Sequence, residues 1–315
     1  MKNRADKQNM LDAKHKCSYN KRMNKLDTKQ RAQILHLLCE GTSMRAITRL
    51  TGVSINTVSK LLVDAGNACA QYHDDAVRGV TANQVQCDEI WSFTYAKKKN
   101  VETAKAAPEG AGDTWTWTAL TDKKLILSYL VGGRDAGYAH DFMVDVADRL
   151  DNRVQLTTDG HKAYLEAVED AFGGNVDYAQ LVKLYGAAPQ GPQVRYSPAE
   201  CTGAKKTPVS GNPDMEHVST SHVERANLNM RMHMRRFTRL TNGFSKKVAN
   251  HTHMVALYTV FHNFIRIHKT LKVTPAMESD LSDEVRDFEW IVGLIDLNNP
   301  APKKRGPYKK KQNPD

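Results

Sequence analysis

The pattern of apolar and polar positions divides the chain into a helical beginning and a strand-rich middle. Between residues 28 and 66, apolar side chains recur every three or four positions in three short segments, as they do on one face of a helix. Gly41 and Gly52 follow two of these segments, and Ser43 and Ser54 precede the next, which are the usual places for helix stops and caps. This pattern predicts three helices, the last two joined by a tight turn.

From residue 85 onward the pattern indicates strands. Segments rich in apolar, aromatic and β-branched residues are found at 85–95, 114–121, 125–131, 154–158 and 176–185. Helical spacing returns at 138–150, 160–172, 221–236 and about 245–268. Three adjacent strands followed by helix, strand and helix predict an α/β fold, a ribonuclease-H-like mixed sheet with flanking helices, preceded by an all-α helix-turn-helix domain.

The predicted organisation has five parts. They are a basic, disordered leader (1–26), a helix-turn-helix DNA-binding domain (27–66), a helical linker (67–83), a ribonuclease-H-like catalytic domain (84–280) with a loop insertion (186–219), and a C-terminal helix with a basic disordered tail (281–315). The prolines and glycines between 186 and 219 are the reason for predicting a loop there.

Charge separates the two ends from the body. The formal net charge is +10, yet residues 1–25 hold eight Lys or Arg against two Asp, and residues 301–315 hold six against one. Solvated disordered arms and arms that bind a polyanion both explain such ends. The sequence has no apolar run long enough for a membrane span or signal peptide, and its five cysteines lie far apart, so we expect a cytoplasmic protein.

The third predicted helix carries polar residues on its outer face. Asn56, Thr57 and Lys60 lie there, where side chains suit base edges and phosphates, so a DNA-reading helix is the functional interpretation. The alternative is a plain three-helix bundle with no DNA contact.

Three acids lie where the predicted order of elements would bring them together. Asp88 lies within the first strand, Asp159 follows the fourth, and Glu224 lies in the first turn of a later helix. Carboxylates held together without a positive partner repel one another, and divalent cations relieve that repulsion. Oxygen ligands select Mg²⁺ or Mn²⁺ over zinc.

Each acid also has a simpler interpretation. Asp88 could be a charge on an edge strand, and Asp159 with Gly160 could form only a turn. Ser221 and Glu224 have the spacing of a helix capping box. Together these explanations are weaker than one shared metal site, because a two-metal nuclease fold requires acids at these three positions.

Several segments resemble transposases of the insertion-sequence-one family. The resemblance runs from about residue 23 to about residue 277 and rests on these motifs: CDEIWS (87–92), TWTWTA (114–119), VQLTTDGHKAY (154–164), the MRMHMRRF run (230–237) and RIHKTL (266–271). Many members carry a cysteine zinc finger ahead of the helix-turn-helix, but only Cys17 is found there in this chain, so we expect no finger.

The resemblance implies a bacterial DDE transposase with Asp88, Asp159 and Glu224 as its catalytic acids. Such an enzyme binds terminal inverted repeats, cleaves the transposon ends and joins the 3′-hydroxyls to target DNA, using two Mg²⁺ or Mn²⁺ ions per active site. We expect a homo-oligomer in the DNA complex, associated with the nucleoid. Further candidate DNA-binding residues are His161, Lys162, Arg225, Arg231, Arg235, Arg236, His268 and Lys269.

Two other functions fit parts of the pattern. A domesticated or inactive transposase could act as a helix-turn-helix DNA-binding regulator, although this leaves the three acids unexplained. A structure-specific nuclease on the same fold would cut DNA without joining it. Strand-transfer assays with paired terminal repeats distinguish the three.

Overall fold

The structure, a computed structural model, describes residues 25–186, 199–238 and 242–298. The strands are β1 (Gln84–Thr94), β2 (Gly112–Thr121), β3 (Ile126–Gly132), β4 (Val154–Thr158), β5 (Val176–Tyr185) and β6 (Cys201–Ser210). The helices are α1 (Thr28–Cys39), α2 (Met44–Thr51), α3 (Ile55–Ala76), α4 (Ala136–Asp148), α5 (Ala163–Phe172), α6 (Ser221–His233), α7 (Val248–Val260), α8 (Pro275–Glu278) and α9 (Phe288–Asn298).

The strands form one six-stranded mixed sheet in the order β3-β2-β1-β4-β5-β6. β1 pairs antiparallel with β2 and parallel with β4, and β4 pairs parallel with β5. Helices α4 and α5 pack together beside one face, whereas α6 and α7 contact the strands β1, β2 and β3 from the other. A mixed sheet with helices on both faces confirms the predicted α/β class and is compatible with a ribonuclease-H-like fold.

The sheet is held by large side chains from both faces. Trp117 of β2 is fully buried, and its ring lies against Phe142 of α4 and Tyr164 of α5. On the other face, Thr118 of β2 contacts Met230 of α6. Adjacent residues of β2 therefore point to opposite helix layers, as the two-residue repeat of a strand requires.

The first three helices are joined to the rest of the molecule by α3. α3 continues without a break from the predicted DNA-binding segment into the segment predicted as a helical linker. Gly66 marks the place where α3 crosses α7: a Cβ there would lie 2.3 Å from the Cβ of His253, so only glycine permits this approach. The Arg31 guanidinium of α1 also binds Asp296 of α9 through two hydrogen bonds of 2.7 and 2.8 Å.

Two other segments differ from the prediction. The expected loop at 186–219 contains strand β6, which pairs antiparallel with β5. Pro208 is compatible with it because, among the described strands, β6 lies at the sheet edge, where not every N–H needs a partner. The helix expected to reach residue 268 ends earlier, since α7 passes into a single π turn over Phe261–Ile265 and the chain becomes extended at Arg266.

Of the predicted leader, the structure describes only residues 25 and 26. At the other end it describes the chain as far as α9, and the predicted basic tail lies outside the described residues. Within the described part of the chain, the helices are too short or too polar to cross a bilayer.

Candidate active site

The three predicted acids line one cavity of about 420 Å³. Its lining consists of Asp88, Asp159, Gly160, Leu181, Val182, Lys183, Tyr185, Thr220 and Glu224. β1, the end of β4, the second half of β5 and the start of α6 thus converge on one space. The order of elements expected from the sequence does bring these carboxylates together.

Asp88 lies where β1 loses one of its neighbours. The pairing between β1 and β4 ends at Cys87 and Thr158, so the next residue of β1 faces a gap instead of a strand. β1 lies between β2 and β4 and is not an edge strand of the sheet, but at Asp88 itself only β2 pairs with it. The Asn227 side chain of α6 donates a hydrogen bond to Asp88 Oδ2 at 2.9 Å and fixes the carboxylate's orientation.

Asp159 follows β4 directly and points into the same gap. Its Oδ1 accepts a hydrogen bond from the backbone N–H of His161 at 2.9 Å, so the turn expected at this position is present as well. Gly160 is needed for close packing, because a Cβ there would lie 2.6 Å from a methyl group of Val182 on β5. The glycine therefore lets β5 approach the acids.

Glu224 is positioned by a contact between β1 and the first turn of α6. The Gln86 side chain of β1 accepts hydrogen bonds from the N–H groups of His222 and Val223 at 2.9 and 3.1 Å. Gln86 and Asp88 are two positions apart and face the same side of the strand. One strand face therefore carries one acid and anchors the helix that carries another.

Both carboxylate oxygens of Glu224 have partners. The Thr220 hydroxyl donates to Oε1 at 2.6 Å, and the Lys183 ammonium donates to Oε2 at 2.5 Å. The predicted capping box is wrong: α6 begins after Thr220, and the carboxylate binds that side chain and Lys183 instead of a backbone N–H. The hydrogen bond to Glu224 raises the pKa of Lys183 and outweighs burial, which lowers it.

A fourth acid, Glu89, belongs to the site and was not predicted. Asp88, Glu89 and Asp159 each offer an oxygen within 4.8 Å of the others. Arg134 donates to Glu89 Oε2 at 3.1 and 3.2 Å and stacks on the Trp115 ring. The available signal was a pair of adjacent acids in a strand that contains no other charged residue. It was missed because neighbouring strand residues point to opposite faces, and only the gap beside β1 lets both approach Asp159.

The three clustered acids oppose one another electrostatically. Burial and the neighbouring charge of Asp159 raise the pKa of Asp88 to about 6, although the hydrogen bond from Asn227 offsets part of the change. Burial and Asp159 also raise the pKa of Glu89 to about 7, against the opposing effects of Tyr164 and Arg134. The ionised cluster therefore lacks enough positive charge.

These donors suit a hard divalent cation. The ligand set consists of carboxylate oxygens, which Mg²⁺ and Mn²⁺ prefer. In addition, Glu89 Oε1 is buried, and the neutral Tyr164 hydroxyl beside this carboxylate does not cancel its charge. A cation beside these oxygens would compensate the charge that raises both pKa values, so the residues fit a metal site.

The remaining predicted residues lie at varying distances from the cavity. His161 and Lys162 follow Asp159 and precede α5, and neither lines the cavity. Burial, followed by the Arg134 charge, lowers the pKa of His161. His268 and Lys269 lie in a turn after the π turn and not on a helix entering the site; neither lines the cavity.

The four candidate DNA-binding arginines are divided between surface and interior. Arg225 and Arg235 are exposed, whereas Arg231 is half-buried on the last turn of α6. Arg236 donates to Ser245 Oγ at 2.9 Å and contacts the Met44 sulfur of α2, and burial lowers its pKa to about 10. Its contacts join α2 to the core, so Arg236 is poorly placed for the predicted DNA contact.

On α3, the polar residues singled out from the sequence face outward. Asn56, Thr57 and Lys60 are exposed, and the helix begins with the Ser54 side chain accepting the N–H of Thr57 at 3.2 Å. Lys60 forms an ion pair with Asp64 one turn further along.

Comparison with known proteins gives few matches. No family model matches the chain, and no curated protein matches it. Among solved structures, the chain is similar to a Mos1 transposase paired-end complex with the left transposon end, at 15% identity and a TM-score of 0.22. It is also similar to a pre-cleavage Mos1 transpososome, at 14% identity and a TM-score of 0.21. Both matches cover 49% of this chain and 59% of the other, so the chain spans less than two thirds of either structure.

Proposed function

We propose that this chain is a DDE transposase of the insertion-sequence-one family, which cleaves the ends of its element and joins the 3′-hydroxyls to target DNA. The observation that supports it is the convergence of Asp88, Asp159 and Glu224 on one cavity from β1, β4 and α6. The raised pKa of Asp88 indicates that the site needs additional positive charge. A DNA phosphodiester with divalent cations is the substrate class that such a site serves.

In the proposed reaction, the residues of this chain hold the cations and orient the reacting DNA. Asp88 and Asp159 would hold one divalent cation, and Asp88 and Glu224 would hold a second. Two Mg²⁺ or Mn²⁺ ions, when bound, would activate the attacking oxygen and stabilise the leaving one. Asn227 and Gln86 keep the carboxylates in position. In the first round water attacks the phosphodiester at the end of the element, and the P–O3′ bond breaks to release a 3′-hydroxyl. In the second, that hydroxyl attacks a target phosphodiester in line and displaces the 3′-oxygen of the target strand.

The first three helices are the proposed DNA-reading unit. α2, the turn at Gly52 and α3 have the order of a helix-turn-helix, with Ser54 as the cap of the second helix. Asn56 and Thr57 are exposed at the start of α3, where a reader helix contacts base edges. Because α3 packs on α7, the reader is rigidly connected to the catalytic core and does not depend on a flexible linker.

The test of the catalytic proposal uses full-length protein and a plasmid carrying the DNA that flanks both sides of its coding region. With Mg²⁺ or Mn²⁺, we expect cleaved ends and their joining to target DNA, detected by sequencing the junctions. Asp88→Asn, Asp159→Asn and Glu224→Gln should each abolish both steps while DNA binding changes by only a few-fold. Asp145→Asn is the matched control, because its carboxylate is paired with Arg149 away from the cavity.

Three outcomes distinguish the candidate functions. Cleavage without joined products would indicate a structure-specific nuclease. Sequence-specific binding without cleavage would indicate a DNA-binding regulator. Full activity in any of the three acid variants would remove that residue from the proposed site.

The reader helix has a separate test. Asn56→Ala and Thr57→Ala should reduce discrimination between end DNA and scrambled DNA by about 1–3 kcal/mol each, because base contacts carry specificity. Lys60→Ala should weaken binding to both DNAs alike, since phosphate contacts carry no sequence information. Competition gel-shift titrations measure both effects. Unchanged specificity in both Asn56→Ala and Thr57→Ala would exclude α3 as the reader.

A further inference from the structure

Lys183 of β5 contributes a positive charge to the acidic cavity. Of the described residues that line the cavity, it is the only lysine or arginine. Its ammonium lies 2.5 Å from Glu224 Oε2, and the two side chains are 36% and 37% exposed. The pair is therefore accessible to solvent and to ligands entering the cavity.

This ion pair conflicts with the role proposed for Glu224. With Thr220 on one oxygen and Lys183 on the other, the carboxylate is already neutralised and oriented. A divalent cation bound at Oε2 would sit beside an ammonium of the same sign, which is unfavourable at such short range. Coordination by Glu224 thus requires Lys183 to move away.

Arg134, the other cation close to the acids, is held differently. Its guanidinium donates to the buried Glu89 carboxylate and stacks on Trp115 at 4.6 Å from the ring centre. It also lies 3.7 Å from Asp159. These contacts fix Arg134 in place, whereas Lys183 has a flexible stem and pairs with one carboxylate of the described residues, that of Glu224.

We propose that Lys183 is an exchangeable counter-ion, which occupies Glu224 until divalent cations bind and then turns to a phosphate of the DNA in the cavity. The inference rests on the proposed function and adds an order of events to it. Lys183 competes with the metal in the free protein and favours DNA once the metal is bound. Metal binding and DNA binding therefore strengthen one another, as thermodynamic linkage requires.

The experiment measures Mn²⁺ binding to full-length protein by calorimetry without DNA, so its readout is independent of catalysis. Lys183→Met and Lys183→Gln should bind Mn²⁺ about two- to five-fold more tightly than wild type, the size expected for losing a partly exposed ion pair. Lys183→Arg keeps the positive charge and should bind as wild type does. Lys205→Met is the matched control, because Lys205 is exposed on β6 opposite Val182.

The second measurement should change in the opposite direction. In Mn²⁺, the affinity of Lys183→Met for end DNA should fall about two- to five-fold, because one phosphate contact is lost. Without metal, the same variant should bind DNA as wild type does, since Lys183 is then held by Glu224. Circular dichroism and thermal unfolding of each variant confirm that it is folded.

Equal or weaker Mn²⁺ binding by folded Lys183→Met and Lys183→Gln would overturn the exchange, while leaving the metal site itself intact. An equal gain in Lys205→Met would also overturn it, because any nearby charge would then have the same effect. Absence of Mn²⁺ binding in wild type would instead overturn the proposed function, and this inference with it.

Discussion

Two groups of acidic side chains in this protein have opposite electrostatic environments. In the first, the Arg149 guanidinium binds Asp145 and Asp74 at 2.8 and 2.9 Å and also donates to backbone carbonyls of α3 and the residue after it. In the second, around the cavity, Asp88, Glu89 and Asp159 each offer an oxygen within 4.8 Å of the others, and Arg134 contacts both Glu89 and Asp159. We name these the compensated cluster (Asp74, Asp145, Arg149) and the cavity cluster (Asp88, Glu89, Asp159).

The pKa values of the acids are shifted in opposite directions in the two clusters. Burial would raise the pKa of Asp145, but hydrogen bonds from Arg149 and Ser128 outweigh it and the value is lowered. Burial also acts on Asp88, where the repulsion of Asp159 adds to it and the pKa reaches about 6. The compensated cluster stabilises the fold, whereas the cavity cluster costs stability, which is typical of groups arranged for a ligand.

The largest expected effect is on the compensated cluster. Arg149→Met should lower the free energy of unfolding by about 2–4 kcal/mol, because it removes a buried cation and leaves two acids and two carbonyls without that partner. Urea denaturation at pH 7.5 measures the loss. A change below about 1 kcal/mol would contradict a structural role for this cluster.

In the cavity cluster we expect the opposite change in the free energy of unfolding. Asp88→Asn should raise the free energy of unfolding of the metal-free protein by about 1–3 kcal/mol at pH 7.5, because it removes a buried charge and keeps an acceptor for Asn227. Asp145→Asn should instead destabilise by about 1–2 kcal/mol. Both are measured by urea denaturation in chelator. Destabilisation of equal size in the two variants would contradict the electrostatic difference between the two clusters.

The stabilisation by Asp88→Asn should depend on pH. At pH 7.5 the wild-type carboxyl is ionised in both the folded and the unfolded chain, so the folded state bears the full cost. Below its folded pKa of about 6 the carboxyl takes up a proton in the folded state first, and the cost falls. The difference between the variant and wild type should therefore shrink by about half at pH 5. A constant difference from pH 7.5 to 5 would exclude a raised pKa of Asp88.

Much of the fold could be predicted because local signals and tertiary structure agree. The apolar alternation and the caps placed most strands and helices within a few residues, and the order of elements predicted where three of the acids meet. The prediction of a loop was wrong at β6, because the residues of this strand are almost all exposed and give no apolar signal. Its strand conformation depends on pairing with β5, which is a tertiary interaction.

The missed site residues depend on the same kind of information. Gln86 contributes to the site only because the first turn of α6 packs against it. Lys183 reaches the acids only because Gly160 leaves room for β5 to come close to them. Glu89 reaches Asp159 only because β4 ends beside β1. Such contacts join residues far apart in sequence, so the local pattern of apolar and polar positions does not predict them.

Binding of divalent cations by the cavity cluster and Glu224 is measured most directly by an electron paramagnetic resonance titration of Mn²⁺ at pH 7.5. Wild-type protein and Asp145→Asn should bind Mn²⁺ with the same affinity, whereas Asp88→Asn should lose affinity by about ten-fold or more. Equal Mn²⁺ binding by Asp88→Asn and wild type, or a loss confined to Asp145→Asn, would contradict the account.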